Sequence, residues 1–247
     1  MIIINFLFIG ILIGSFLNVC IYRIPKKQDI IYTPSHCFNC SHKLAWYDLV
    51  PVFTYLVLRG KCRYCQAKIS IQYPIIELSN GAAYMGIFAI YGLSKETIIY
   101  SALFSILLVI AMIDYKHYII PNGMVITLAV LAIVNTVFNI QNWLNYLIGF
   151  LIASIILLII AVVTQGKMGG GDIKLMAVAG LLLGWQKILL ALMLGSVVGA
   201  VIGLTLIALK IIKREQMIPF GPFLTFGIMV SALFGQEIIS WYLSFIL

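Results

Sequence analysis

Apolar runs close to twenty residues long recur from one end of this chain to the other, and they dictate its solvent before any motif is read. About twenty helical residues, at 1.5 Å each, cross a hydrocarbon core of roughly 30 Å. Of 247 residues, 63% are hydrophobic and 10% charged, too few polar side chains for the chain to cover itself in water. The sequence therefore predicts an all-α polytopic membrane protein. Punctuation by Gly, Pro and charge gives about eight transmembrane helices, over 2–22, 74–92, 96–113, 122–138, 143–164, 172–184, 187–210 and 220–246. The sixth is too short to cross unless neighbours cover its ends, and Gly235-Gln236-Glu237 suggests a break in the eighth. The first run lacks a basic leader and a small-residue cleavage site, so it is expected to stay as a helix rather than leave as a signal peptide.

Eight spans make the connecting loops alternate sides. The loops after spans one, three, five and seven hold Arg23, Lys26, Lys27, Lys43, Arg59, Lys61, Arg63, Lys68, Lys116, Lys167, Lys174, Lys210, Lys213 and Arg214, against Lys95 and Lys187 on the other side. Lys and Arg are retained in the cytoplasm, so that side is expected to face inward and both termini outward. The net charge of +8 is then explained by topology and calls for no nucleic acid.

Residues 23–73 differ in kind, with half of all Lys and Arg and four of the five cysteines. They predict a small cytoplasmic domain between a first helix (1–22) and a multi-helix membrane domain (74–247). Some fifty residues barely bury a core, so a staple is expected. Cys37-Phe38-Asn39-Cys40 and Cys62-Arg63-Tyr64-Cys65 supply it: two C-x-x-C knuckles fit one tetrahedral Zn²⁺ with no open coordination position, hence a structural site. Disulfides or free thiols are the alternatives, and a reducing cytosol disfavours the former. Cys20 reads as a buried helix residue, and His36 and His42 flank the first knuckle without a vacancy to fill.

Among eight acidic residues, Asp114 and Asp172 stand at the same edge of the membrane, one closing an apolar helix and one opening another after Gly169, Gly170 and Gly171. Ionisable groups at such positions are costly to bury and mark functional sites. Two carboxylates brought together there would share a proton, the arrangement with which an aspartic protease activates water and polarises a carbonyl. The residues leave other readings open: an ion pair of Asp114 with Lys116 or Lys174, a helix cap by Asp172, or proton relay in a transporter.

Motifs spread along nearly the whole chain resemble those of the type IV prepilin leader peptidases. They comprise Gly14-Ser15-Phe16-Leu17-Asn18-Val19-Cys20-Ile21-Tyr22-Arg23-Ile24-Pro25, Leu58-Arg59-Gly60-Lys61-Cys62, Ile69-Ser70-Ile71-Gln72-Tyr73-Pro74-Ile75-Ile76-Glu77, Asp114 through Pro121, Gly169 through Lys174, and Ile218-Pro219-Phe220-Gly221-Pro222. Lys116 stands where members often carry an acid, and Phe38 where proline is common. The resemblance implies a bacterial inner-membrane aspartyl endopeptidase. With Asp114 and Asp172 it would remove the basic leader of prepilin-like or pseudopilin-like substrates on the cytoplasmic side, after a glycine. It further implies methylation of the new N-terminus from S-adenosylmethionine. Gly169, Gly170 and Gly171 would admit an extended substrate backbone, and Lys174 would balance local charge. Asn18, Arg23, Gly60 and Glu77 are candidates for methyl transfer by position alone, each with a plain structural alternative.

Overall fold

A computed structural model describes residues 2–165, 168–213 and 218–245. Lys167, Arg214 and the last residue of the eighth expected span lie outside the described residues. Among these the protein is all-helical, with isolated β-bridges but no strand: α1 (Ile2–Arg23), α2 (Phe53–Val57), α3 (Gln72–Tyr91), α4 (Lys95–His117), α5 (Asn122–Phe138), α6 (Trp143–Val163), α7 (Gly170–Leu183), α8 (Trp185–Ala208) and α9 (Gly221–Leu243). Five are long and apolar enough to cross a membrane: α1, α4, α6 with the turn before it, α8 and α9. The expected spans at 74–92, 122–138 and 172–184 are helical but fall short by that measure, α5 being apolar yet only 17 residues long. The chain divides into two compact units, 1–105 and 106–247, with the division inside α4.

In the first unit α1 and α3 pack backbone against backbone. A Cβ on Gly10 would stand 2.7 Å from the Cα of Gly81, and one on Gly14 2.7 Å from the Cα of Glu77. Between apolar helices in lipid, such close approach supplies the dispersion contact that a hydrophobic effect cannot. Three buried polar side chains are linked in a chain: Asn80 Nδ2 donates to Gly10 O at 2.8 Å, Ser105 Oγ donates to Asn80 Oδ1 at 2.9 Å, and the Tyr84 hydroxyl lies 3.0 Å from Ser105 Oγ.

In the second unit α7 is the central helix, with Leu175, Met176 and Ala179 wholly buried among α5, α6, α8 and α9. At 14 residues it spans about 21 Å, too little to cross alone. Its end is covered as the short length demands. Asn135 Nδ2 donates to Leu182 O at 2.9 Å, Thr136 Oγ1 to Leu181 O at 3.5 Å, and Asn145 Oδ1 accepts the Trp185 N–H at 3.3 Å across the turn at Gly184. Gly184 has φ +83°, and a Cβ there would meet Asn145 Nδ2 at 2.5 Å. Gly184→Ala is therefore expected to destabilise this unit by about 1–3 kcal/mol, read as a lowered thermal midpoint in detergent.

The eighth span is not broken. α9 runs unbroken through Gly235-Gln236-Glu237, because Gly235 serves close packing: a Cβ there would lie 3.2 Å from Cγ of Lys187, whose stem passes over it.

Candidate active site and metal centre

α4 continues one turn past Asp114, to His117, before Tyr118 turns left-handed at φ +56° and its N–H closes on Asp114 O at 2.8 Å. Asp114 thus lies within a helix rather than at its end, and its carboxyl is buried against the start of α9. The Gly221 N–H donates to Asp114 Oδ2 at 2.9 Å. This is the usual manner in which the first, unpaired amides of a helix receive an anion. Only glycine fits: a Cβ at 221 would fall 2.6 Å from Oδ2 and 2.9 Å from Cγ of Asp114. Gly221 was not singled out by its sequence. Pro222 just inside a helix start was the available signal, but nothing in it names the carboxylate received.

Asp172 is the third residue of α7, in its first turn, and is not the cap. Gly169 holds that position, and the Asp172 N–H bonds to Gly169 O at 3.1 Å. The Asp172 carboxyl is half-buried, makes no hydrogen bond among the described residues, and lies near enough to Asp114 to feel its charge. The two aspartates, 58 positions apart in the chain, thus lie within electrostatic reach of one another in the second unit. Lys174 does not join them in an ion pair; its Nζ donates to Asn122 Oδ1 at 3.2 Å, tying α7 to the start of α5.

The three glycines are not equivalent. A Cβ on Gly169 would lie 3.1 Å from Asp172 Oδ2, and one on Gly171 2.9 Å from Cβ of Ile120. Gly170 faces open space, with nothing within 4 Å of such an atom.

In the first unit the Sγ atoms of Cys37, Cys40, Cys62 and Cys65 lie within 4.8 Å of one another and can hold a metal ion. The two knuckles are built alike. Ser41 N–H donates to Cys37 O and Gln66 N–H to Cys62 O, with both donor residues left-handed, at φ +56° and +60°. Sγ of Cys37 and Cys65 are 3.7 Å apart, far beyond disulfide length, and all five cysteines are free. Four thiols this close divide charge unequally. The Ala67 N–H, helped by Asn39, draws Cys65 down to about 6. Backbone amides of Cys40 and Asn39 lower Cys37. Cys40 receives a lowering bond from His42, but burial and the neighbouring thiols outweigh it and push it to about 11. His42 stands outside the cluster, its ring on Tyr64 at 3.7 Å, and His36 lies edge-on to Phe38.

Of the candidates for methyl transfer, Arg23 and Glu77 hold the connecting segment to α1 and α3, Asn18 joins the two helices, and Gly60 turns the segment itself. Asn18 Nδ2 donates to Tyr73 O at 3.1 Å, while its buried Oδ1 has no partner. The buried Arg23 guanidinium gathers the carbonyls of Asp29, Thr33 and Pro34 at 2.9, 2.7 and 3.2 Å. Gly60, at φ +68°, turns the chain over Tyr55. Glu77, buried in α3, accepts the Val52 N–H at 2.8 Å and the Ser15 hydroxyl, holding Val52 at φ +59°. A β-branched residue rarely adopts that conformation.

The family model described as Bacterial Peptidase A24 N-terminal domain matches residues 8–91, and that of the Type IV leader peptidase family matches residues 101–204. The Prepilin leader peptidase/N-methyltransferase of Bacillus subtilis (strain 168) is 32% identical to the chain, over 95% of each. Proteins of the same description from Pseudomonas putida and Stutzerimonas stutzeri are 31% and 32% identical, over 93% and 97% of this chain and 90% and 93% of their own. No solved structure matches significantly.

Proposed function

Because this chain belongs to the type IV leader peptidase family and is an enzyme, we propose that it removes the basic leader from prepilin-like substrates, with Asp114 and Asp172 as the catalytic pair. What supports this reading is that Asp114 is buried on the Gly221 N–H while the half-buried Asp172, which makes no hydrogen bond among the described residues, lies within reach of its charge. Two carboxyls so placed retain one proton between them, and the pair acts as a unit. One carboxylate takes a proton from water as it attacks the scissile carbonyl, while the protonated partner donates to the carbonyl oxygen; the first carboxyl then passes its proton to the leaving amine as the partner regains one from the collapsing diol. Gly221 fixes Asp114 Oδ2, which leaves Oδ1 as the oxygen available for proton exchange. The loop charges support eight crossings with this site on the cytoplasmic side of a bacterial inner membrane. There an apolar substrate helix would lie in the bilayer while its leader stays in the cytosol, cut after a glycine.

Gly170, facing open space, is where an extended substrate backbone would pass. Gly170→Val is expected to leave the fold intact and lower cleavage by about tenfold or more, measured by initial rates on a purified prepilin. An unimpaired rate would remove the close-approach role.

The cysteine cluster fits Zn²⁺. Tetrahedral Zn–S bonds of about 2.3 Å require Sγ atoms about 3.8 Å apart, and Cys37 and Cys65 stand at 3.7 Å. Zn²⁺ there is structural, closing the connecting segment upon itself. We further propose that this unit methylates the exposed amino group from S-adenosylmethionine. The unpartnered Asn18 Oδ1 and the Glu77 carboxylate would serve as acceptors for that cationic donor, which supplies the methyl group. Arg23 and Gly60 would hold the surrounding loop. The test is mass spectrometry of a prepilin treated with the solubilised protein and S-adenosylmethionine. Leader loss with a gain of one methyl group is expected. Cys62→Ser or chelation is expected to abolish the methyl gain while cleavage persists, and loss of both together would reject separate roles for the two units.

A further inference from the structure

Residues 46–57 of the first unit turn apolar side chains outward where a water-facing domain would hide them. Trp46 is 79% exposed, Phe53 65%, Leu56 65% and Val57 59%. Tyr47, Leu49 and Val50 are exposed as well, so exposed apolar side chains run the length of this short segment as a stripe. The segment is not a loose loop. Thr54, buried behind the stripe, donates from Oγ1 to Tyr47 O at 2.9 Å. Asp48 is held by Arg63 at 2.7 Å and by the Tyr64 hydroxyl at 3.1 Å. A folded element with its apolar face outward has a partner of matching chemistry.

Depth identifies that partner. The Val52 N–H is bound by Glu77, five residues inside α3, and Glu77 also takes the Ser15 hydroxyl, eight residues from the end of α1. At 1.5 Å per residue these contacts lie about 7 Å and about 12 Å in from the helix ends. α1 has 22 residues, about 33 Å, scarcely more than the hydrocarbon thickness. A segment anchored that far along it lies no farther out than the headgroup layer. The rim is basic: Lys43, Arg59 and Lys61 are exposed, and Asp48, the acid of the segment, is neutralised by Arg63.

We propose that residues 46–57 are an interfacial membrane element, with Trp46, Phe53, Leu56 and Val57 in the upper acyl layer and Lys43, Arg59 and Lys61 on anionic lipid phosphates. Tryptophan at the headgroup level and lysine or arginine beside it are the side chains such a position selects. The inference rests on α1 crossing the bilayer and is independent of either catalytic reading.

The test uses the full-length chain in lipid nanodiscs with Trp143, Trp185 and Trp241 replaced by Phe, leaving Trp46 as the sole tryptophan. Blue-shifted emission is expected, with quenching by lipids brominated near the glycerol end several-fold stronger than by aqueous iodide. Phe53→Ser with Leu56→Ser should reverse that ratio. Water-like emission with dominant iodide quenching overturns the proposal. So does blue-shifted emission indifferent to brominated lipid, since a second copy or another protein would then cover the stripe.

Discussion

Asp114→Asn and Asp172→Asn should each leave the leader on a prepilin substrate, with initial rates down by about a thousandfold or more. Members of one catalytic unit fail singly almost as completely as together. Each asparagine keeps the volume of the carboxyl but can neither accept a proton from water nor pass one to the carbonyl oxygen. The double variant should be no slower than either single one, because there is one proton-sharing pair to lose. The assay is gel shift of a detergent-solubilised prepilin, with mass spectrometry of its N-terminus and thermal midpoints recorded for all variants. If either single variant cuts at the wild-type rate while folded, the pair is not the catalytic group. Asp172 would then become a dipole-favoured residue of the first turn of α7, and Asp114 an anion for the start of α9.

The second large effect should come from Gly221→Ala, a change of one methyl group. That methyl would stand 2.6 Å from Asp114 Oδ2, so either the carboxyl or the N-terminus of α9 must move. Displacement of a reacting group by about 1 Å commonly costs about a hundredfold in rate, and a loss of that order is expected in cleavage. Gly123→Ala is the control, since Gly123 has nothing within 4 Å of an added Cβ; its cleavage rate should stay at the wild-type value. Equal losses in the two variants would show that glycine matters here for chain flexibility and not for seating Asp114.

These expectations depend on contacts that sequence reading reaches unevenly. The two aspartates were legible because a carboxyl beside an apolar helix is chemically out of place, and the cysteines because paired C-x-x-C knuckles have few uses. Their spacing suffices, since each knuckle is local: four residues set two sulfurs on one side of a turn. Gly221 carries no local sign of its role, for it acts on a carboxyl 107 positions away, and no local pattern reports such a pairing. Local pattern alone admits Lys174 as an ion-pair partner of Asp114 and Asp172 as a helix cap. In the fold Lys174 reaches Asn122, and Gly169 takes the cap position. The expected break at Gly235 failed for a related reason. A glycine reads the same in a sequence whether it ends a helix or lets a neighbouring lysine stem pass over it.

By itself, then, the sequence determined the apolar character of this protein, its helical content and the thiol cluster, because hydrophobicity and ligand spacing act over a few residues. Only the tertiary structure decided where α7 can end, which amide receives Asp114, and how Glu77 ties Val52 into the helix pair. Each of these is a hydrogen bond or a close approach between residues distant in the chain. Its energy depends on ångström-scale distances that the packing of whole helices sets.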